Sequence, residues 1–174
     1  MKKSVLSVSL VIAATLATAM PAQALCMYYG KTFQKSDDKD SAGRLNAKTT
    51  VAGEFKDAMT ALWGRVVSSR EVPVRKSKPD AQAGVVYRIR VDKVFKGDAV
   101  REASYYTERN SGAFYLDQGE DYLLFLNPPM HDDPALGVAP GVLIVNYACG
   151  KSKRWNQLSM ADKRALDALA ARRR

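Results

Sequence analysis

Histidine is almost missing from this 174-residue chain, and the sole example is His131. Nucleophilic triads and Cys-His pairs need a histidine within reach of an activated side chain. One histidine in the proline-bounded loop Met130-His-Asp-Asp-Pro134 does not supply that. Asp132 and Asp133 beside it do not make a metal site either, since adjacent residues on one loop rarely converge on one ion. Glycine-rich phosphate cradles are missing, as are internal repeats and low-complexity tracts. Glu108, Asp117, Glu120 and Asp121 gather around turns and read as solvated turn residues rather than a hydrolytic carboxylate pair. These gaps predict a protein that is not an enzyme and carries neither cofactor nor metal.

Cysteine is scarce too, with only Cys26 and Cys149. A basic start (Lys2, Lys3), a mostly apolar run from Val5 to Ala17 and the small-x-small Ala22-Gln23-Ala24 predict a cleaved secretory signal over residues 1–24. The apolar run is too short to span a bilayer comfortably, and Leu25 stands where a lipobox needs a small residue. The mature chain is expected to be secreted or periplasmic. In an oxidising compartment two thiols are expected to form one disulfide, the alternative being metal ligands or reactive thiols. Closing so long a loop contributes about 4–5 kcal/mol through chain entropy.

Acidic residues are outnumbered, 18 against 27 Lys and Arg, for a formal charge of +9. Loss of residues 1–24, which hold two lysines and no acid, leaves +7. Such an excess suits a polyanion or an anionic membrane, while export argues against nucleic acid. Part of it is the tail Arg172-Arg173-Arg174.

The strongest periodicity lies in Gly84-Val-Val-Tyr-Arg-Ile-Arg-Val-Asp-Lys-Val-Phe-Lys-Gly97. Val85, Tyr87, Ile89 and Val91 alternate with Arg88, Arg90 and Asp92, as in a strand with one buried face. The adjacent pair Val94-Phe95 breaks phase and predicts a bulge near Asp92–Lys93. Met59–Val67, continued by Ser68–Val74, precedes it as a second strand, with Gly64 marking a bend or close backbone approach. A basic, exposed connection joins the two. Further strands are expected at Ala99–Thr107, Ala113–Leu116, Asp121–Leu126 and Gly141–Ala148. Val51–Ala58 has room for one helical turn. Ser159, with Asp162 three residues on, caps a C-terminal helix whose stripe is Ala165, Leu166 and Leu169. Trp63 and Trp155 read as core or barrel-capping. About five strands, one of them long, and one late helix predict a mainly β fold. It is a five-stranded OB-like Greek-key barrel with the C-terminal α-helix packed on it.

Four stretches carry a family resemblance: Phe55-Lys-Asp-Ala58 ahead of Arg65-Val-Val-Ser68; Tyr87 to Gly97; Leu116-Asp-Gln-Gly119 followed by Glu120-Asp-Tyr-Leu-Leu124; and Cys149, Trp155-Asn-Gln-Leu-Ser159 and Lys163-Arg-Ala-Leu166. In order and spacing they resemble the netrin-like domain. The resemblance is to the N-terminal domain of the tissue inhibitors of metalloproteinases and their bacterial relatives. It implies a five-stranded OB barrel with helices against it, and pairs Cys26 with Cys149 as that family's second disulfide. Those inhibitors begin Cys-x-Cys, and the first cysteine chelates the target's zinc and pairs with a cysteine before the Leu-Asp-x-Gly turn. Here Arg109-Asn-Ser-Gly-Ala113 contains no cysteine, and the chelating position falls on Ala24, inside the predicted signal.

The organisation expected is therefore a signal at 1–24, an N-terminal segment and loop at 25–54, the netrin-like domain at 55–171 and a basic tail at 172–174. Non-catalytic binding of an extracytoplasmic protein, with a protease as one candidate, is the expected role. Leu25, Cys26 and Met27 at the new N-terminus and Tyr105 and Tyr106 are the expected contacts. The alternative is an anionic polymer or membrane surface held by a basic face of Arg75, Lys76, Lys78, Arg88 and Arg90.

Overall fold

The computed structural model describes residues 49–72, 84–110, 112–129, 141–145 and 149–172. The predicted signal, Leu25, Cys26, Met27, the connection bearing Arg75, Lys76 and Lys78, and the His131 loop lie outside the described residues.

Long strands dominate, as the alternation requires. Strand β1 runs Thr60–Val72 and β2 Gly84–Lys96, paired antiparallel along their length. Strands β3 (Glu102–Glu108) and β4 (Asp121–Asn127) add to β2 and β1, respectively. Two short strands, β5 (Ile144–Val145) and β6 (Lys153–Arg154), share the free edge of β4. The order is β3-β2-β1-β4-β5. A parallel bridge between Leu143, just ahead of β5, and Tyr105 brings the chain back to β3, with Tyr106 N donating to Leu143 O at 2.8 Å and Leu143 N to Ser104 O at 2.9 Å. The result is an OB-like barrel with a C-terminal helix.

Two apolar layers follow from the period-2 pattern. Leu62, Val66, Val85, Tyr87, Ile89, Tyr105, Leu124 and Leu126 fill the barrel. The outward side chains Ala61, Phe95, Leu123 and Phe125 form a second layer beneath helices α1 (Val51–Asp57) and α2 (Met160–Ala171). Strand β4 is covered on both faces, which is why its sequence reads as a continuous apolar run rather than an alternation. The register slips at Asp92, where Trp63 pairs with Lys93 and Gly64 with Val91. That bulge sends Phe95 outward to the helices. Gly64 sits where a Cβ would press on the Arg90 carbonyl and come 2.8 Å from Ile89 Cγ2. Only a residue without a side chain permits that approach.

Helix α2 begins as its capping signature dictates, with Ser159 Oγ accepting from Asp162 N at 3.0 Å. Leu166 is fully buried against the outer layer, with Ala165 and Leu169 beside it. Trp155 stacks on Trp63 at 4.6 Å between ring centres, and Lys163 Nζ lies over the Trp155 ring, 4.7 Å from its centre.

Three expectations need correction. Ala113–Leu116 is not a strand but a pinned loop, because Phe114 and Leu116 turn into the barrel end instead of pairing. Strand β3 starts at Glu102, not Ala99, after the turn at Gly97 (φ 98°). The boundary at residue 54 cuts through α1: Val51 and Glu54 are buried, and Thr50 caps the helix by accepting from Gly53 N at 3.0 Å. The packed domain therefore includes Thr49 onward among the described residues.

Candidate functional site

The connection from β3 to β4 is the most heavily tied loop among the described residues. Asn110 starts it: Gly112 N donates to Asn110 Oδ1 at 2.9 Å and Ala113 N to Asn110 O at 3.1 Å. Arg109 pairs with Glu71 at the end of β1. Phe114 N then donates to Thr107 Oγ1 at 3.3 Å, and Tyr105 Oη donates to Phe114 O at 2.7 Å. The Phe114 ring meets Tyr105 and Tyr122 edge-on, with centres 6.5 and 6.2 Å away. Leu116 is buried, and its backbone bonds the Tyr87 hydroxyl. Gly119 N finally donates to Val66 O at 2.9 Å, and Val66 N to Glu120 O at 3.0 Å.

Tyr115 stands between two anchored neighbours. Its side chain is 50% exposed, while Phe114 and Leu116 on either side are held in the barrel end. Nothing in the sequence marks it, because a lone aromatic in a loop has no periodicity. The run Phe114-Tyr-Leu116 reads as part of a strand, which hides the loop that begins with the turn at Asn110.

Beside the loop lies a polar triad. Asp117 N donates to Tyr122 Oη at 3.0 Å, Tyr122 Oη donates to Asp117 Oδ2 at 3.0 Å, and Arg154 reaches both. The Arg154 guanidinium, and then the Tyr122 hydroxyl, hold the Asp117 carboxyl below the usual carboxylate range.

The expected site residues fare unevenly. Tyr105 and Tyr106, expected as surface contacts, are buried at 0% and 6% exposure. Tyr105 faces the barrel interior, where burial pushes its phenol up. Tyr106 packs against Val72 and Val142 outside it. Both are corrected to structural residues, because the closure of β3 onto Leu143 covers them. Arg88 and Arg90 are exposed, but not as an unopposed basic face. Arg88 pairs with Glu102 at 3.3 Å and Arg90 with Asp92 at 3.4 Å, and nearby Arg65 holds Asp121 in a two-pronged bond at 2.7 and 2.9 Å. The strand surface is a ladder of alternating charge. Leu25, Cys26, Met27, Arg75, Lys76 and Lys78 are outside the described residues. Cys149 is described and carries no free thiol.

A second polar locus lies where α1 meets the segment after Cys149. Glu54 is fully buried there. Its Oε1 accepts from Lys151 N at 2.6 Å and from the Thr49 hydroxyl. Its Oε2 has no hydrogen-bond partner among the described residues. Burial outweighs those two bonds, and the carboxyl is pushed up to about 7.

No family model matches the chain, and no curated protein matches it.

Proposed function

We propose that this is an exported, non-catalytic binding protein of the netrin-like class, whose partner is an extracytoplasmic protein. One observation carries the site: Tyr115 is half exposed on a backbone fixed from both sides. An aromatic held in place before binding loses little conformational freedom on contact, and such residues supply much of the energy of protein interfaces. The netrin-like reading rests on the sequence resemblance. It gains support from the OB-like strand order and from α1 and α2 packing together on the barrel. Pairing of Cys26 with Cys149 belongs to the same proposal. It would tie the mature N-terminus to the segment that leads into β6. With Ala24 at the chelating position and within the expected signal, direct chelation of a protease's zinc is not part of the proposal.

The test is a photoreactive phenylalanine analogue at position 115 in the exported protein, irradiated in the cells that export it. A discrete protein adduct at 115, lacking when the analogue replaces exposed Met160, is expected. Identical adduct patterns at both positions, or none at 115, would overturn the site. Retention on an immobilised sulfated polymer that falls steeply with salt would favour the anionic-polymer reading instead.

A further inference from the structure

Glu54 has the geometry of a switch rather than of a strut. Its carboxyl is enclosed by Thr49, the α1 backbone and Gly150, whose missing side chain makes the room. A Cβ on Gly150 would lie 2.7 Å from both Glu54 Cδ and Oε2. One oxygen is satisfied by the Lys151 amide and the Thr49 hydroxyl, and the other meets no donor among the described residues. Such an arrangement suits a neutral acid: the unpartnered oxygen holds the proton, and the partnered oxygen accepts two bonds. Once that proton leaves, a full charge sits in a site with one oxygen unsolvated. Burying an unpaired charge is costly enough that structures rearrange to relieve it.

What would rearrange is defined by the connections. Lys151 N is the only described link from Glu54 to the chain after Cys149. Farther on, Ser152 Oγ accepts from Phe125 N at 2.9 Å, and Lys153 and Arg154 pair with β4. The stretch from Ser152 onward is thus held by the barrel, and Gly150–Lys151 is held by Glu54. The charged groups that act on Glu54 come from both sides of this junction. Asp57 on its own helix favours the protonated form, and Lys151 opposes it. The burial that dominates them places the transition near neutral pH.

We propose that Glu54 is a proton-controlled latch: protonated, it clasps Gly150–Lys151 to α1, and deprotonated, it lets that segment open. The latch sits next to Cys149, so its opening loosens the anchorage of whatever is joined there. It is independent of the partner-binding reading and stands if that reading falls.

The test uses the full exported protein with its thiols oxidised. Amide-exchange protection of Lys151, corrected for the base-catalysed intrinsic rate, is measured at pH 6 and pH 8 in the wild type and in Glu54→Gln. Protection in the wild type is expected to fall by about tenfold or more across that interval while the variant stays flat. Equal protection at both pH values in the wild type, or the same fall in Glu54→Gln, would overturn the latch. Should the variant not fold, carbon NMR of the Glu54 carboxyl in the wild type decides. Titration near neutral pH, with the Lys151 amide shift moving in step, supports the latch. Titration in the ordinary carboxylate range, or a Lys151 amide that ignores it, rejects it.

Discussion

Two polar clusters flank the same barrel and solve the same problem in opposite ways. At the end of the β3–β4 loop, Asp117 stays in water and gathers Arg154 and Tyr122 around its charge. At the α1 junction, Glu54 gives up water and receives a backbone amide and a hydroxyl, with no salt bridge among the described residues and only the weaker pull of the Lys151 charge. The first environment favours the carboxylate and the second the acid. Ionisation therefore strengthens one end of the molecule and weakens the other. The position of a carboxyl relative to solvent, more than its count of hydrogen bonds, sets which form the fold prefers.

The largest consequence is a stability that declines toward alkaline pH. Glu54 has an ordinary value of 4.5 in the unfolded chain and about 7 in the fold. Below 4.5 both states hold the proton and the fold suffers no penalty. Between 4.5 and 7 the unfolded chain has released a proton that the native state retains, so stability falls as pH rises. Above 7 the penalty is complete, on the order of 3 kcal/mol. Denaturant unfolding at pH 5 and pH 8 should show this loss in the wild type and little of it in Glu54→Gln. An identical pH slope in both proteins would remove Glu54 from the account.

Crowding the same junction should come next in size. Gly150→Ala puts a methyl group against the Glu54 carboxyl in a site with no free space. Overpacking of this kind costs about 1–3 kcal/mol. Because the clash is with the carboxyl, Gly150→Ala combined with Glu54→Ala should recover part of the loss. Additive losses in that double variant would place the strain in the backbone at Gly150 instead.

How far the sequence could be read divides along the same line. The barrel was legible because strands announce themselves by period: β1, β2 and β4 fall where alternation and apolar runs put them, and the slip at Val94-Phe95 located the bulge at Asp92. Ser159 and Asp162 marked the start of α2 for the same local reason. Residues whose roles depend on closure were not legible. Tyr105 and Tyr106 carry no mark that Leu143 will cover them. Arg88 does not reveal its acid, since Glu102 lies on another strand, whereas Arg90 finds Asp92 two residues on along β2 itself. Glu54 looks like any helical glutamate until residue 151 folds over it, a partner 97 positions away.

Breaking the exposed cluster should matter less than breaking the buried one. Asp117→Asn removes a charge that water solvates well without its partners, so its effect on unfolding at neutral pH should be smaller than that of Gly150→Ala. The pH signature should be reversed as well. Asp117 titrates below its ordinary value in the fold, so its contribution is present above the usual carboxylate range. It is lost as pH falls through that range and below. The wild type should therefore lose more stability than Asp117→Asn on acidification from pH 5 to pH 3. Matched losses would mean that Arg154 and Tyr122 hold the loop without Asp117.

Tyr115 should be the smallest effect on stability and the largest on binding. Half of its side chain is already in water, and the bonds that fix the loop come from Asn110, Thr107, Tyr105 and the Phe114 backbone. Tyr115→Ala should change unfolding by less than about 0.5 kcal/mol, as surface substitutions away from such anchors do. The same variant should weaken the partner captured by crosslinking, whereas Tyr115→Phe, which keeps the ring, should weaken it less. The control is Tyr105→Phe, which leaves Tyr115 in place but deletes the hydroxyl that holds the Phe114 carbonyl. If preorganisation matters, Tyr105→Phe should also weaken binding, from a position the partner never touches. Full affinity in Tyr105→Phe alongside lost affinity in Tyr115→Ala would leave Tyr115 as a contact and remove the fixed loop from the explanation.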